Sequence, residues 1–502
     1  MMTKRRFRHA LLGSCSLALI ALTGCDTGVT ISDTQNSGAD SYTRGSADFS
    51  TFVALGDSLT AGFADSALYR MGQESSYPAI VARQLAMVGG GAFPQPLVND
   101  NAGGLLLGGN PIPTVSNRLV LAGSPLAPTA VSDVPTTEVG MPLTGPIYNL
   151  GVPGAKSYHL GFPSYGDAAG LLTMPPTANP YFAYMRSANP ATTVLADAVA
   201  QSPAFFVLWI GNNDTLSFAT AGGATGVDQL GNPNPATYGS ADLTDPTAFA
   251  GTYNSIVTAL TAGGAKGVLV NLPDVTSIPY FTTVPYNAIP MDDAAATASN
   301  AAYAAYNAGL TVSGIPAAEV TRRTISFAPG QNALVIADDS LTDLSMGGLP
   351  SIRQATASDF ILLPSSSKIG TESTPGNPAT VWGVGTPMTN ADVLTETEAA
   401  LVAAANTAFN TTIEGIAAGN ADLALFDARA LLADVAAGGV NFGTGAVTST
   451  FATGGAFSLD GVHPTARGYA LVANRLMEAI ESAFDAVLPA VNPGDYTTTF
   501  IQ

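Results

Sequence analysis

Cysteine is nearly absent: Cys15 and Cys25 are the only two in 502 residues. Cys15 falls in an N-terminal segment that reads as a removable leader, so a single thiol remains. No intramolecular disulfide can then form, and stability has to come from a large core, which a chain with 46% hydrophobic residues can build. Basic residues are scarce too, 18 Lys and Arg against 37 Asp and Glu, and they are scattered. Without clusters of positive charge there is no means of neutralising phosphates, which excludes nucleic acid as a partner. The acidity itself fits solubility or a saline habitat. Histidine is scarcer still: beyond the leader only His159 and His463 remain. Two imidazoles, with no thiol beyond the one at the start of the mature chain, would need an unusual carboxylate set to hold zinc, so neither a catalytic metal nor a cofactor is expected.

The first 24 residues carry Lys4, Arg5, Arg6 and Arg8, then an apolar run from Ala10 to Leu22 that is too short for a permanent span. Leu22-Thr23-Gly24-Cys25 follows and resembles a bacterial lipobox, which implies cleavage before Cys25 and lipidation of its thiol. Loss of four positive charges takes the formal net charge from −19 to −23. The expectation is an envelope lipoprotein, held at the outer membrane or cell surface by its N-terminal lipid. Residues 25–49, rich in Ser, Thr, Gly and Asp without apolar periodicity, read as a flexible tether.

Continuous apolar runs at 51–55, 147–150, 204–210, 267–271 and 423–426 read as buried strands. They alternate with helical stretches at 78–88, 192–201, 246–262, 395–418 and 464–484, the pattern of a parallel sheet covered on both faces. Three segments exceed that alternation: 89–146, rich in Gly and Pro with apolar pieces at 105–107 and 119–121; 219–243, loop-like; and 277–391, with an alanine-rich helix over 292–309 and a strand over 332–337. Length alone suggests about three domains. The order of the motifs argues instead for one catalytic domain over 50–488 enlarged by these insertions, with a tail over 489–502.

Gly56-Asp57-Ser58-Leu59 ends the first strand, where open parallel sheets place ligands. The surroundings are not Gly-x-Ser-x-Gly, so the strained elbow of the α/β hydrolases is not indicated. Near the other end, Asp460-Gly461-Val462-His463-Pro464 puts a carboxylate three residues before an imidazole in a turn that leads into a helix. A hydroxyl, a base and an orienting acid are the requirements of nucleophilic acyl transfer, and Ser58, His463 and Asp460 meet them. His159 has no acidic neighbour in sequence and reads as a hydrogen-bonded structural or pocket-lining residue. Gly211-Asn212-Asn213-Asp214 follows the most apolar strand, where an Asn amide can donate to an oxyanion. Asn149-Leu150-Gly151-Val152-Pro153-Gly154 ends another strand with glycines whose N–H can approach a substrate.

Taken in order, these four blocks resemble a GDSL esterase/lipase of the SGNH hydrolase superfamily. The resemblance implies a flavodoxin-like three-layer α/β/α fold with a parallel central sheet. It implies Ser58 as nucleophile, His463 as base and then acid, and Asp460 as its orienter. It also implies an oxyanion hole made of the Ser58 N–H, the Gly154 N–H and the Asn213 side chain. Gly154 is preferred to Gly151 because it keeps the family's spacing from Asn149. Asp57 and Asp214 are expected to hold the serine and asparagine loops by hydrogen bonds. The expected function is a lipid-anchored esterase or lipase acting on acyl esters, lipids among them. A carbohydrate O-acetyl esterase with the same residues and a noncatalytic surface-binding lipoprotein are the alternatives.

Overall fold

The computed structural model describes residues 41–443 and 445–502; the leader, Cys25 and most of the tether lie outside the described residues. Five strands carry the molecule: β1 (Phe52–Gly56), β2 (Asn149–Gly151), β3 (Phe205–Trp209), β4 (Lys266–Val270) and β5 (Leu423–Phe426). All pair in parallel in the order 2-1-3-4-5. Every side chain of β1 and β3 is buried, which is why their sequences are uninterrupted apolar runs rather than alternating ones.

Helices cover both faces. On one, α2 (Tyr77–Ala86), α8 (Ala428–Ala437) and α9 (Ala466–Phe484) pack together. On the other lie α3 (Val194–Ala200), α5 (Pro246–Thr261) and α7 (Glu396–Ala418). The result is the three-layer α/β/α arrangement expected from sequence, with the flavodoxin-like strand order. Two short helices, α1 (Ser58–Ala61) and α4 (Asn212–Thr220), leave the ends of β1 and β3 directly. The sheet order reverses at β1, with β2 on one side and β3 on the other. The crevice at their carboxyl ends is the switch point where such sheets bind ligands.

Three local differences from the sequence reading have physical causes. Residues 43–49 do not behave as tether: Thr43 exchanges backbone hydrogen bonds with Val487, and Phe49 is buried edge-on against Phe205 at 4.9 Å. The strand expected over 332–337 is two strands, Gly330–Asn332 and Val335–Ala337, separated where the Leu334 N–H turns to Tyr286 O. Each pairs with a different partner, Ile289–Met291 and Ile352–Gln354. Helix α8 went unassigned in sequence, although its buried Leu431, Leu432 and Val435 form one apolar face. The alanine-rich helix, α6 (Asp293–Val312), is capped by Asp292 and exposes most of its length, burying only Ala296 and Leu310.

The segment 89–146 contributes a hairpin, Leu119–Ala122 with Ala127–Ala130, whose edge is bonded to the C-terminal residues through Leu121 and Phe500. The segment 277–391 forms small two-stranded sheets around their own apolar cluster, and its Arg353 is fully buried between Asp338 and Asp359. Among the described residues no helix is long and apolar enough to cross a membrane.

Candidate active site

Ser58 is the first residue of α1, immediately after Asp57, whose carboxylate caps the helix by accepting from the Leu59 N–H. The Ser58 Oγ lies 2.9 Å from His463 Nε2, although 405 positions separate the two residues. His463 Nδ1 is 2.9 Å from Asp460 Oδ2. The Asp460 carboxylate also accepts from the backbone N–H of Val462, His463 and Ser66 and from the Ser458 hydroxyl. Burial by itself would raise this carboxyl; the charge available on His463 and the hydrogen bonds from His463 and Ser66 outweigh it and hold the pKa down to about 2. Asp460 is therefore an anion at neutral pH, aimed at the far nitrogen of the ring that faces Ser58.

The loop has the sequence its shape demands. Gly461 sits at φ +73°, and a Cβ there would stand 2.9 Å from Leu363 Cδ2 and 3.1 Å from Tyr280 N. The Ser458 N–H closes the loop on His463 O, and Thr465 then caps α9 through the Gly468 N–H. Facing it, Asp65 and Ser66 are consecutive non-glycine residues in the left-handed region, a conformation that costs on the order of 1–3 kcal/mol each. The compensation is specific: the Asp65 N–H donates to Ser458 Oγ and the Ser66 N–H to Asp460 Oδ2, both at 2.9 Å. Asp65 in turn accepts from Leu459 N–H and Tyr69 OH, and burial pushes its carboxyl up to about 6. Phe63 lies against the His463 ring at 4.7 Å between centroids. Asp65, Ser66, Ser458 and Phe63 were not identified from sequence.

The remaining blocks converge on the same crevice. The Gly154 N–H and the Ser58 N–H have no hydrogen-bond acceptor among the described residues, and Gly154 sits at φ +80°. Gly151 differs, because its N–H is used by Asn149 Oδ1 at 3.0 Å, and a Cβ on it would collide with Ala61 N at 2.2 Å. Its lack of a side chain lets β2 close on α1. Asn213 Nδ2 donates one hydrogen to Ala155 O at 2.9 Å, just beyond Gly154, leaving its second for an acceptor in the crevice.

Asp57 is fully buried, and its second oxygen accepts from Asn212 Nδ2 at 2.9 Å, tying the serine loop to the asparagine loop. Burial pushes its carboxyl up to about 6, against the pull of Asn212 and Leu59. Asn212 was likewise not singled out in sequence. Asp214, buried and raised for the same reason, accepts from both the N–H and the hydroxyl of Ser157 at 2.7 Å. His159 stands apart from Ser58. Its ring stacks on Tyr165 at 4.5 Å, Nδ1 accepts from the Lys156 N–H, and burial, helped by Lys156, depresses it to about 3. Among the described residues no three His, Cys, Asp or Glu side chains converge as a metal site.

Comparison with curated proteins gives no match, and neither does comparison with solved structures. The family match ends ahead of the Asp460–His463 loop, which the fold itself carries back to Ser58. With a hydroxyl, imidazole and carboxylate in line at the switch point of a parallel sheet, a family model described as GDSL-like Lipase/Acylhydrolase matches residues 52–313, and the chain belongs to that family.

Proposed function

We propose that the protein is a serine ester hydrolase that works through an acyl-Ser58 intermediate. The observation that carries this reading is the hydrogen-bonded line Ser58 Oγ, His463, Asp460, with 2.9 Å at each step. His463 Nε2 takes the Ser58 proton as Oγ bonds to the ester carbonyl carbon. The carbonyl oxygen becomes an oxyanion received by the N–H groups of Ser58 and Gly154 and the free hydrogen of Asn213 Nδ2. Asp460 stabilises the imidazolium and keeps Nε2 turned to the serine. As the tetrahedral species collapses, the bond to the alcohol oxygen breaks and that oxygen leaves with the proton from His463. Water, deprotonated by the same imidazole, then attacks the acyl carbon and releases the carboxylic acid and Ser58.

The test is covalent labelling by a fluorophosphonate together with hydrolysis of p-nitrophenyl acetate. The wild type is expected to label once, at Ser58, and Ser58→Ala to lose both labelling and turnover while keeping its thermal transition. Turnover retained by Ser58→Ala would place the nucleophile elsewhere.

The same reading places the enzyme in a bacterial envelope, tethered through a lipid on Cys25. The basic, apolar and small-residue blocks ahead of that cysteine support it. Expression with an alkyne fatty acid is expected to label the wild type and not Cys25→Ala.

A further inference from the structure

A cleft of about 590 Å³ opens beside the catalytic imidazole, within the size range of small-molecule sites. His463 and Asp460 line it, and none of the three oxyanion donors, Ser58, Gly154 and Asn213, does, so the cleft begins at the imidazole and runs away from the serine. That asymmetry gives the cleft a direction. In acyl transfer the carbonyl oxygen points at the oxyanion donors, while the departing oxygen has to lie where the imidazole can protonate it. The space on the imidazole side is therefore leaving-group space.

Its walls come from both long insertions. Leu119 and Pro128 belong to the hairpin in 89–146, Leu363 and Tyr280 to 277–391, and Phe451 to the loop before the catalytic histidine. These walls are fixed to the machinery by backbone bonds: Leu119 N–H donates to Asp65 O at 2.8 Å, and Tyr280 N–H to Gly461 O at 2.9 Å. Leu363 covers Gly461, between the two catalytic residues of that loop. No lysine or arginine among the described residues lines the cleft, and its carboxylate, Asp460, is already committed to His463. A phosphorylated or cationic alcohol would find no counter-charge there. A sugar would have to bury several hydroxyls against walls whose polar side chains, beyond the catalytic pair, are Ser66, Ser366 and Tyr280, the last with its hydroxyl turned to Thr220 O, and unpaired buried hydroxyls are costly.

We propose that this cleft receives the alcohol half of the ester, so that the enzyme selects esters of neutral, apolar alcohols, with Leu119, Leu363 and Phe451 setting that selectivity. The assignment rests on the serine-esterase reading above. It also disfavours deacetylation of polysaccharides.

The experiment holds the acyl group at acetyl and varies the alcohol: ethyl, hexyl, choline and glucose acetylated at its 6-hydroxyl alone, each below its solubility limit, with kcat/KM measured for the purified protein. Hexyl acetate is expected to exceed ethyl acetate by at least about tenfold, since each buried methylene contributes to binding, and acetylcholine and the sugar acetate to fall below hexyl acetate. Leu363→Asp and Phe451→Asp are each expected to lower the hexyl-to-ethyl ratio about tenfold. Equal rates along the wild-type series, or a preference for the choline or sugar ester, overturn the assignment without recourse to any variant. Fluorophosphonate labelling of Ser58 in the same preparation separates the two readings. Labelling with no alcohol preference defeats the cleft alone, whereas no labelling and no hydrolysis defeat the esterase with it.

Discussion

The two histidines of the described chain show what environment does to one side chain. His463 sits between an anionic carboxylate and a hydroxyl, partly open to a cleft. His159 sits among Tyr158, Phe162 and Tyr165, beside the buried Lys156, and is held neutral with pKa depressed to about 3. An imidazole can cycle a proton only where its charged form has a partner, and only the first site provides one. What separates the two is Asp460, three residues before His463 and tied to it from both sides by the loop.

The comparison predicts a graded loss of function. Ser58→Ala and His463→Ala are expected to lower kcat by about 10⁴-fold or more, because nucleophile and base act as a unit. Steady-state hydrolysis of p-nitrophenyl acetate measures this, and a loss below tenfold for His463→Ala would remove it as the base. Asp460→Asn retains the shape of the orienter and removes its charge, so a kcat loss of about 10³- to 10⁴-fold is expected. Asn213→Ala deletes one oxyanion donor and should lower kcat about 10²- to 10³-fold with KM little changed. If KM alone moves, Asn213 serves binding and not the oxyanion.

The parts of this site that were legible in sequence are those whose chemistry is local. Ser58 follows its strand and Asp460 precedes His463 by three, so these announce themselves within a few residues, whereas Asn213 and Gly154 were picked out of their strand-end blocks by the family resemblance. The five core strands were legible because burial on both faces writes them as unbroken apolar runs. The supporting shell was not, because its logic is long-range. Asp65 matters through a hydrogen bond to Ser458, 393 positions away, and Asn212 through one to Asp57, 155 away. The two left-handed residues Asp65 and Ser66 carry no glycine to mark them. The small sheets of 277–391 were hidden for a related reason: strands of two or three residues have too few alternations to establish a period.

Asp65 offers a finer test of the same contrast, since it lies beside Asp460 yet is shifted the other way. Its folded pKa of about 6 lies above the ordinary 3.8, so the unfolded chain releases the proton first and stability falls as pH rises from about 3.8 to 6. Asp460, held to about 2, contributes stability that is present above 3.8 and lost as pH falls toward 2. Asp65→Asn keeps an acceptor for Leu459 and removes the ionisation. Unfolding free energies from urea titrations at pH 4.5 and 6.5 should therefore differ in the variant by a more positive amount than in the wild type, on the order of 2 kcal/mol. An unchanged difference would mean that Asp65 is not buried as a proton-binding acid.

His159 closes the contrast with the smallest effect on rate. Its ring touches no catalytic group, so His159→Phe should leave kcat within about threefold, while the Lys156 N–H loses its acceptor and stability drops by about 1–3 kcal/mol. The pH signature is opposite to that of Asp65. A histidine at about 3 when folded and 6.5 when unfolded makes the unfolded chain bind the proton first, so the wild type loses stability as pH falls from 6.5 toward 3. Between about 3.8 and 6 the two groups oppose each other, and Asp57, also pushed up to about 6, adds to the Asp65 side. His159→Phe removes the rising component and should make stability fall more steeply with pH across that window than in the wild type, where Asp65→Asn should make it fall less steeply. Parallel shifts in the two variants would show that the imidazole is not carried into the fold as the neutral ring.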